Sequence, residues 1–458
     1  MGTASTRGSH RAATAAIFGM LLVGVAGAPA HAESIRERQW FLDAMQAEQI
    51  WQTSTGKGIT VAVIDSGVDL TTPDLEGQVL QGKDYAGAEP GDEHADYEGH
   101  GTGMAALIAG TGAYNGGQGS FGLAPSAKIL PIRMPKAETA ANVAEANRQF
   151  NDVAPKAIRY AVDAGAQVIN ISMGHTEGSQ QLSDAVKYAL NKGALIFAAV
   201  GNSGDEGNKP EYPAATPGVV GVGAVGKDLH KTAESQYGPQ VDMAAPGQEM
   251  VAACGSGTGF CKSHGTSDAT ALASASAALI WSNHPTWTNN QVLRVMLNTI
   301  GAPTDGTKRN DSIGYGIVRP RVALKNPGDP GPADEYPLPD LAAAPSASPS
   351  PDPSAADAAG SSAEGNAENA ANQSDDGTLM SVMLGGLAVA VLGGAAAGLA
   401  ITRKRRAKQI AIQMPADRNH HHGTPQPLHR AAQYPTPPYA PPGAQTGNAT
   451  PRSDCDSV

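Results

Sequence analysis

The sequence predicts an α/β domain, a central and mostly parallel sheet with helices on both faces, followed by one C-terminal transmembrane helix. Three observations lead there. Short continuous apolar runs at residues 59–64, 128–132, 167–171 and 194–200 have the length and character of strands buried on both sheet faces. Between them lie Ala-rich and polar stretches with helical spacing, at 142–164 and 183–191, and strands alternating with helices make βαβ units. The third is an uncharged run at 379–402, rich in Leu, Val, Ala and Gly and ending on Arg403-Lys404-Arg405-Arg406. At about 1.5 Å per residue such a run reaches about 36 Å, enough to cross a hydrocarbon core about 30 Å thick.

The rest of the chain divides by composition. Arg7 and Arg11 precede an apolar run at 12–27 and then Ala30-His31-Ala32, the pattern of a secretory signal peptide spanning 1–32. Residues 33–58, with Trp40, Phe41 and Trp51, are too few for a domain of their own and are expected to pack on the following globular domain as an extension. Residues 59–328 are the globular domain. Residues 329–378 hold ten acidic residues and no Lys or Arg among Pro, Ala and Ser, the composition of a disordered, self-repelling stalk. The basic cluster after the span marks the cytoplasmic side, which puts the domain outside the cell membrane and the Pro-rich tail, 403–458, inside.

All 458 residues carry 32 Lys+Arg against 43 Asp+Glu, a net charge of −11. An acidic chain with no basic stripe excludes a nucleic-acid binder, because affinity for phosphates comes from clustered Lys and Arg. Three Cys, at 254, 261 and 455, are too few for a disulfide-framed mini-protein or a multi-Cys zinc site.

Three segments carry chemistry: Val61-Ala62-Val63-Ile64-Asp65-Ser66-Gly67, then Gly99-His100-Gly101-Thr102-Gly103, then Gly265-Thr266-Ser267-Asp268-Ala269. Each alone is as well explained by a turn, a loop residue or a helix cap. Together, in the chain order Asp, His, Ser on an α/β background, they form a known triad order. Asp65, Ser172 and Asn202 also follow apolar runs, at the carboxyl ends where ligands of parallel sheets bind.

These blocks resemble the three catalytic blocks of the subtilisin-like (subtilase) serine proteases. The similarity continues through Val168-Ile169-Asn170-Ile171-Ser172-Met173-Gly174, Ala198-Ala199-Val200-Gly201-Asn202-Ser203-Gly204, Tyr212-Pro213-Ala214 and Met243-Ala244-Ala245-Pro246-Gly247. The resemblance implies a three-layer subtilisin-like domain, with Ser267 as nucleophile, His100 as general base and then acid, and Asp65 holding the imidazole. It assigns Asn202 and the Ser267 backbone N–H to the oxyanion hole, and Ser172, Met173 and Gly174 to an edge that pairs with an extended protein or peptide substrate. Relatives of this fold often carry calcium, but no full ligand set matches here, and neither metal nor cofactor is assigned.

Two positions depart from the family block: Asp268 stands where Met is usual, and Ala271 where Pro is. Asp268 has two readings, stabilisation of a first helical turn against the dipole, or weakening of oxyanion binding by like charge. Cys254 and Cys261 enclose a short Gly-rich loop before the Ser267 block. Outside the cell they are expected to form a disulfide worth about 2–3 kcal/mol in the chain-entropy model, the alternative being two free thiols.

The whole architecture resembles the mycosins, membrane proteases of type VII secretion. That implies an endopeptidase facing the cell-wall side, with a type VII secretion complex as partner. A general cell-surface subtilase without secretion partners, and a structural cap whose catalysis is dispensable, are the alternatives.

Overall fold

The computed structural model describes residue 2 and residues 34–343, apart from 88 and 256–258. The expected signal peptide, the transmembrane helix and the tail therefore lie outside the described residues, and so does most of the expected stalk. Among the described residues no helix is long and apolar enough to cross a membrane.

The apolar runs become β1 (Thr60–Asp65), β3 (Lys128–Arg133), β4 (Val168–Ile171) and β5 (Leu195–Ala199), joined by the short β2 (Lys83–Asp84), β6 (Val220–Val225) and β7 (Met243–Pro246). They form one sheet in the order β2-β3-β1-β4-β5-β6-β7, with every pairing parallel. A separate antiparallel pair, β8 (Met250–Ala253) and β9 (Phe260–Ser263), follows.

Successive strand side chains face opposite ways, and the sheet accordingly separates two cores. Val61 and Val63 of β1 enter one; Ala62 and Ile64 enter the other. The second core is closed by helices at Val143–Asp163 and Gln180–Asn191, through Phe150, Ala154, Ile158 and Ala161 of the former and Leu182, Val186 and Ala189 of the latter. Those positions recur at three and four residues, which puts them on one helix face. Asn142 and Ser179 cap these helices, their side chains accepting from the backbone N–H of Glu145 and Leu182.

The first core holds the helices His100–Ala109 and Thr266–Asn283. The latter is buried from Thr266 to Trp281. Its Ala and Ser residues keep the helix thin enough to lie against the sheet, while Ser274 and Ser276 satisfy their hydroxyls on Asn170 Oδ1 and the Leu272 carbonyl.

Both ends of the described chain pack on this body. In the N-terminal extension Phe41, Leu42 and Ile50 join the first core, and the Trp40 and Trp51 indoles donate to the carbonyls of Gln248 and Leu123. Residues 329–343, placed in the stalk by composition, also wrap the domain. The Arg294 guanidinium donates to the carbonyls of Pro330, Pro332 and Glu335; Tyr336 Oη donates to Gly218 O; and Leu338 is 2% exposed. The acidic composition hid a few anchoring contacts, and the folded body extends past residue 328.

Candidate active site

Asp65 is the last residue of β1 and is 1% exposed. Its Oδ1 accepts from the Ser66 backbone N–H at 2.8 Å and from His100 Nδ1 at 2.7 Å. His100 opens its helix after Gly99. A second carboxylate, Asp96, joins the two ends: it accepts from Ser66 Oγ at 2.8 Å, Gly99 N at 2.7 Å, and Thr102 N and Oγ1 at 2.8 and 2.6 Å. The strand end and the helix start are thus fastened to one group. Nothing in the residue pattern singled out Asp96; an acidic residue four positions before His100 was its only signal.

Asp65 raises the His100 imidazole to about 9, burial opposing it and Asp268 and Glu98 adding smaller upward pushes. An imidazole held this way takes a proton readily and keeps the imidazolium beside a carboxylate.

Ser267 lies in the first turn of the helix Thr266–Asn283, at the carboxyl end of the sheet. Its Oγ donates to the Ser172 carbonyl at 2.9 Å, and Ser172 Oγ donates back to the Ser267 carbonyl at 3.1 Å. Asn170 Nδ2 supports Ser172 Oγ at 3.0 Å. No hydrogen bond from Ser267 to His100 is present among the described residues; the resting hydroxyl is turned to Ser172.

Asn202 follows β5. Its Oδ1 accepts from Thr266 N at 2.9 Å and Thr266 Oγ1 at 3.1 Å, which leaves the Nδ2 donors for another acceptor. Gly265 makes this approach fit: a Cβ there would lie 2.9 Å from Asn202 Oδ1, and its φ is +133°. The backbone N–H of Ser267, in a first helical turn, belongs to the donors a helix leaves unpaired. Met173 and Gly174 continue from β4, and their main-chain groups make no backbone hydrogen bond among the described residues.

Asp268 is 1% exposed and accepts from Ser263 Oγ at 2.6 Å. Burial raises its carboxyl to about 6, with the Ser263 hydrogen bond and the charges of His100 and His264 opposing. Cys254 and Cys261 are disulfide-bonded with Cα atoms 5.7 Å apart, tying the end of β8 to β9 just ahead of Ser267. Among the described residues no group of three or more His, Cys, Asp or Glu is placed to hold a metal ion.

A cleft of about 280 Å³ is lined by Asp65, His100, Ser172, Met173, Met134 and Phe150. A larger cavity of about 710 Å³ lies between residues 44–46 and 301–322 and contains none of the triad candidates.

Residues 56–316, more than half of the chain, match the sequence model of the Peptidase S8 subtilase family. Thermitase of Thermoactinomyces vulgaris is 35% identical over 244 residues, covering 53% of this chain and 82% of its own. Among solved structures, MycP1 from Mycobacterium smegmatis has a TM-score of 0.58 and 27% identity, covering 67% of this chain and 89% of that one. The MycP3 protease from the type VII (ESX-3) secretion system has a TM-score of 0.53 and 32% identity, over 62% and 87%. With a family match over most of the domain, a parallel sheet of seven strands and mycosins among its structural neighbours, the chain belongs to the subtilase family of serine proteases.

Proposed function

We propose that the chain is a membrane-anchored, extracytoplasmic serine endopeptidase of the mycosin type, working beside a type VII secretion system. The observation that carries the catalytic reading is the 2.7 Å contact between His100 Nδ1 and the buried Asp65, with Ser267 at the adjoining helix start. The secretion role is supported by the mycosins among the structural neighbours, and the anchoring by the sequence at 379–402.

In this mechanism Ser267 Oγ turns from Ser172 to His100, which takes its proton as the oxygen attacks the scissile carbonyl. Asp65 stays ionised and stabilises the imidazolium. The oxyanion accepts from Asn202 Nδ2 and the Ser267 N–H. His100 then protonates the leaving amine, and water, activated the same way, hydrolyses the acyl-enzyme. The substrate lies extended along Met173 and Gly174, paired through main chain.

A fluorophosphonate probe is expected to label the wild-type chain and not Ser267→Ala; no labelling of the wild type contradicts the protease reading. Pull-down from membranes with a Ser267→Ala bait is expected to recover secretion-channel subunits. Recovery of substrates alone favours a surface subtilase without secretion partners.

A further inference from the structure

A carboxylate, Glu211, lies against the strand ends beside the nucleophile. Gly174 and Gly201 stand just beyond the neighbouring parallel strands β4 and β5, and neither has a side chain to fill the space between them. The side chains of Glu211 and Gln236 reach into that space. A Cβ on Gly174 would lie 3.0 Å from Glu211 Oε2, and one on Gly201 would lie 2.3 Å from Gln236 Nε2 and 2.7 Å from Glu211 Cδ. The position is fixed by main chain: His175 and Tyr212 exchange two backbone hydrogen bonds, of 2.9 and 2.7 Å, which sets Glu211 against Gly174.

The carboxylate is poorly compensated. Oε1 accepts from Gln236 Nε2 at 2.8 Å, the one side-chain donor to Glu211 among the described residues, and Glu211 takes part in none of their ion pairs. Burial holds its carboxyl above the ordinary glutamate value against that single hydrogen bond.

We propose that Glu211 is the specificity-determining residue of the protease and selects a cationic side chain, Lys or Arg, immediately before the scissile bond. The proposal rests on the protease reading above. A peptide paired with Met173 and Gly174, whose carbonyl carbon meets Ser267 Oγ and whose oxygen meets Asn202, sends the side chain of that same residue between residues 172–174 and 199–202. An alkyl stem fits against glycine walls, and its ammonium or guanidinium meets Glu211 Oε2. A large apolar side chain would instead leave the carboxyl group against hydrocarbon without a second polar partner, which is costly. Glu211 stands immediately before the Tyr212-Pro213-Ala214 block and carries no signal of its own in the sequence.

The test measures kcat/KM on matched peptide anilides that differ only in the residue before the anilide, Lys, Arg, Leu or Glu, using the full chain. The wild type is expected to prefer Lys and Arg over Leu by about 10-fold or more, as close charge pairing gives. Glu211→Gln is expected to lose that preference, and Glu211→Asp to keep part of it. Each result is a ratio within one variant, so a reduced folded fraction does not change it. A probe-reactive wild type that cleaves the Leu anilide at least as well as the Lys anilide overturns the proposal, as does a Glu211→Gln variant that still prefers Lys. A wild type that neither reacts with the fluorophosphonate probe nor cleaves any anilide overturns the protease reading itself, and this inference with it.

Discussion

His100 Nδ1 and Asp65 Oδ1 are 2.7 Å apart, a helix start and a strand end brought together across 35 residues of sequence. Asp65 is the largest cause of the rise of His100 to about 9. A general base works only when unprotonated, so kcat/KM is expected to climb with pH until about 9. Asp65→Asn removes the charge that favours the imidazolium, moves that limb to lower pH and lowers kcat by about 10⁴. A pH–rate profile of both proteins checks this, and a limb that stays in place shows that Asp65 does not set it.

Asp268 pushes His100 in the same direction and lies one residue from the nucleophile. Above about 6 it is ionised, and its charge opposes the oxyanion that forms beside it. Asp268→Met is therefore expected to raise kcat at pH 8 and to shift the rising limb set by His100 toward lower pH. Unchanged kinetics would leave Asp268 with helix stabilisation alone.

Asp242 carries a stability prediction. It is buried, accepting from Gly221 N at 2.9 Å, and burial raises its carboxyl to about 8. Between an unfolded value of about 3.9 and the folded value, the native state holds a proton that the unfolded chain has released, so stability falls as pH rises through that window. Asp242→Asn keeps an acceptor for Gly221 and cannot ionise. Its thermal midpoint is expected to fall less than the wild type's between pH 5 and pH 8, and parallel curves would refute the assignment.

The C-terminal arm at 329–343 should behave as part of the domain. Leu338 is 2% exposed, and Leu338→Ala is expected to cost about 2–5 kcal/mol on denaturant unfolding. Arg294→Ala releases three carbonyls of the same arm and should open it to limited proteolysis before the body unfolds. Equal protease resistance in both proteins would mean that the arm is held by other contacts.

Much of the fold was legible because the central strands are buried on both faces and read as unbroken apolar runs. Asp65, Ser172 and Asn202 could be placed from the ends of such runs. β6 is not legible as a strand because Val220-Gly221-Val222-Gly223 breaks the apolar run with glycines, and Gly221 must be small where its Cβ would lie 1.9 Å from the Gln240 carbonyl. The helix opening on His100 was hidden likewise, since Gly101 and Gly103 are poor helix formers, yet Gly101 fits against Gly67 O and Asp65. Asp96 and Glu211 became visible only with tertiary structure, because their meaning lies in what faces them across the fold. The arm at 329–343 was lost to composition, for two apolar side chains, Tyr336 and Leu338, anchor it among acidic and Pro residues.

The central claim is that Asp65, His100 and Ser267 act as one catalytic unit, and a double-mutant cycle on kcat tests it most directly. Groups that act together lose their effect together. Ser267→Ala, His100→Ala and the double variant are expected to fall to nearly the same residual rate, each about 10⁶ below the wild type, as for other triads. Losses that multiply in the double variant, or a Ser267→Ala variant that still cleaves the best anilide at the wild-type rate, would contradict the account.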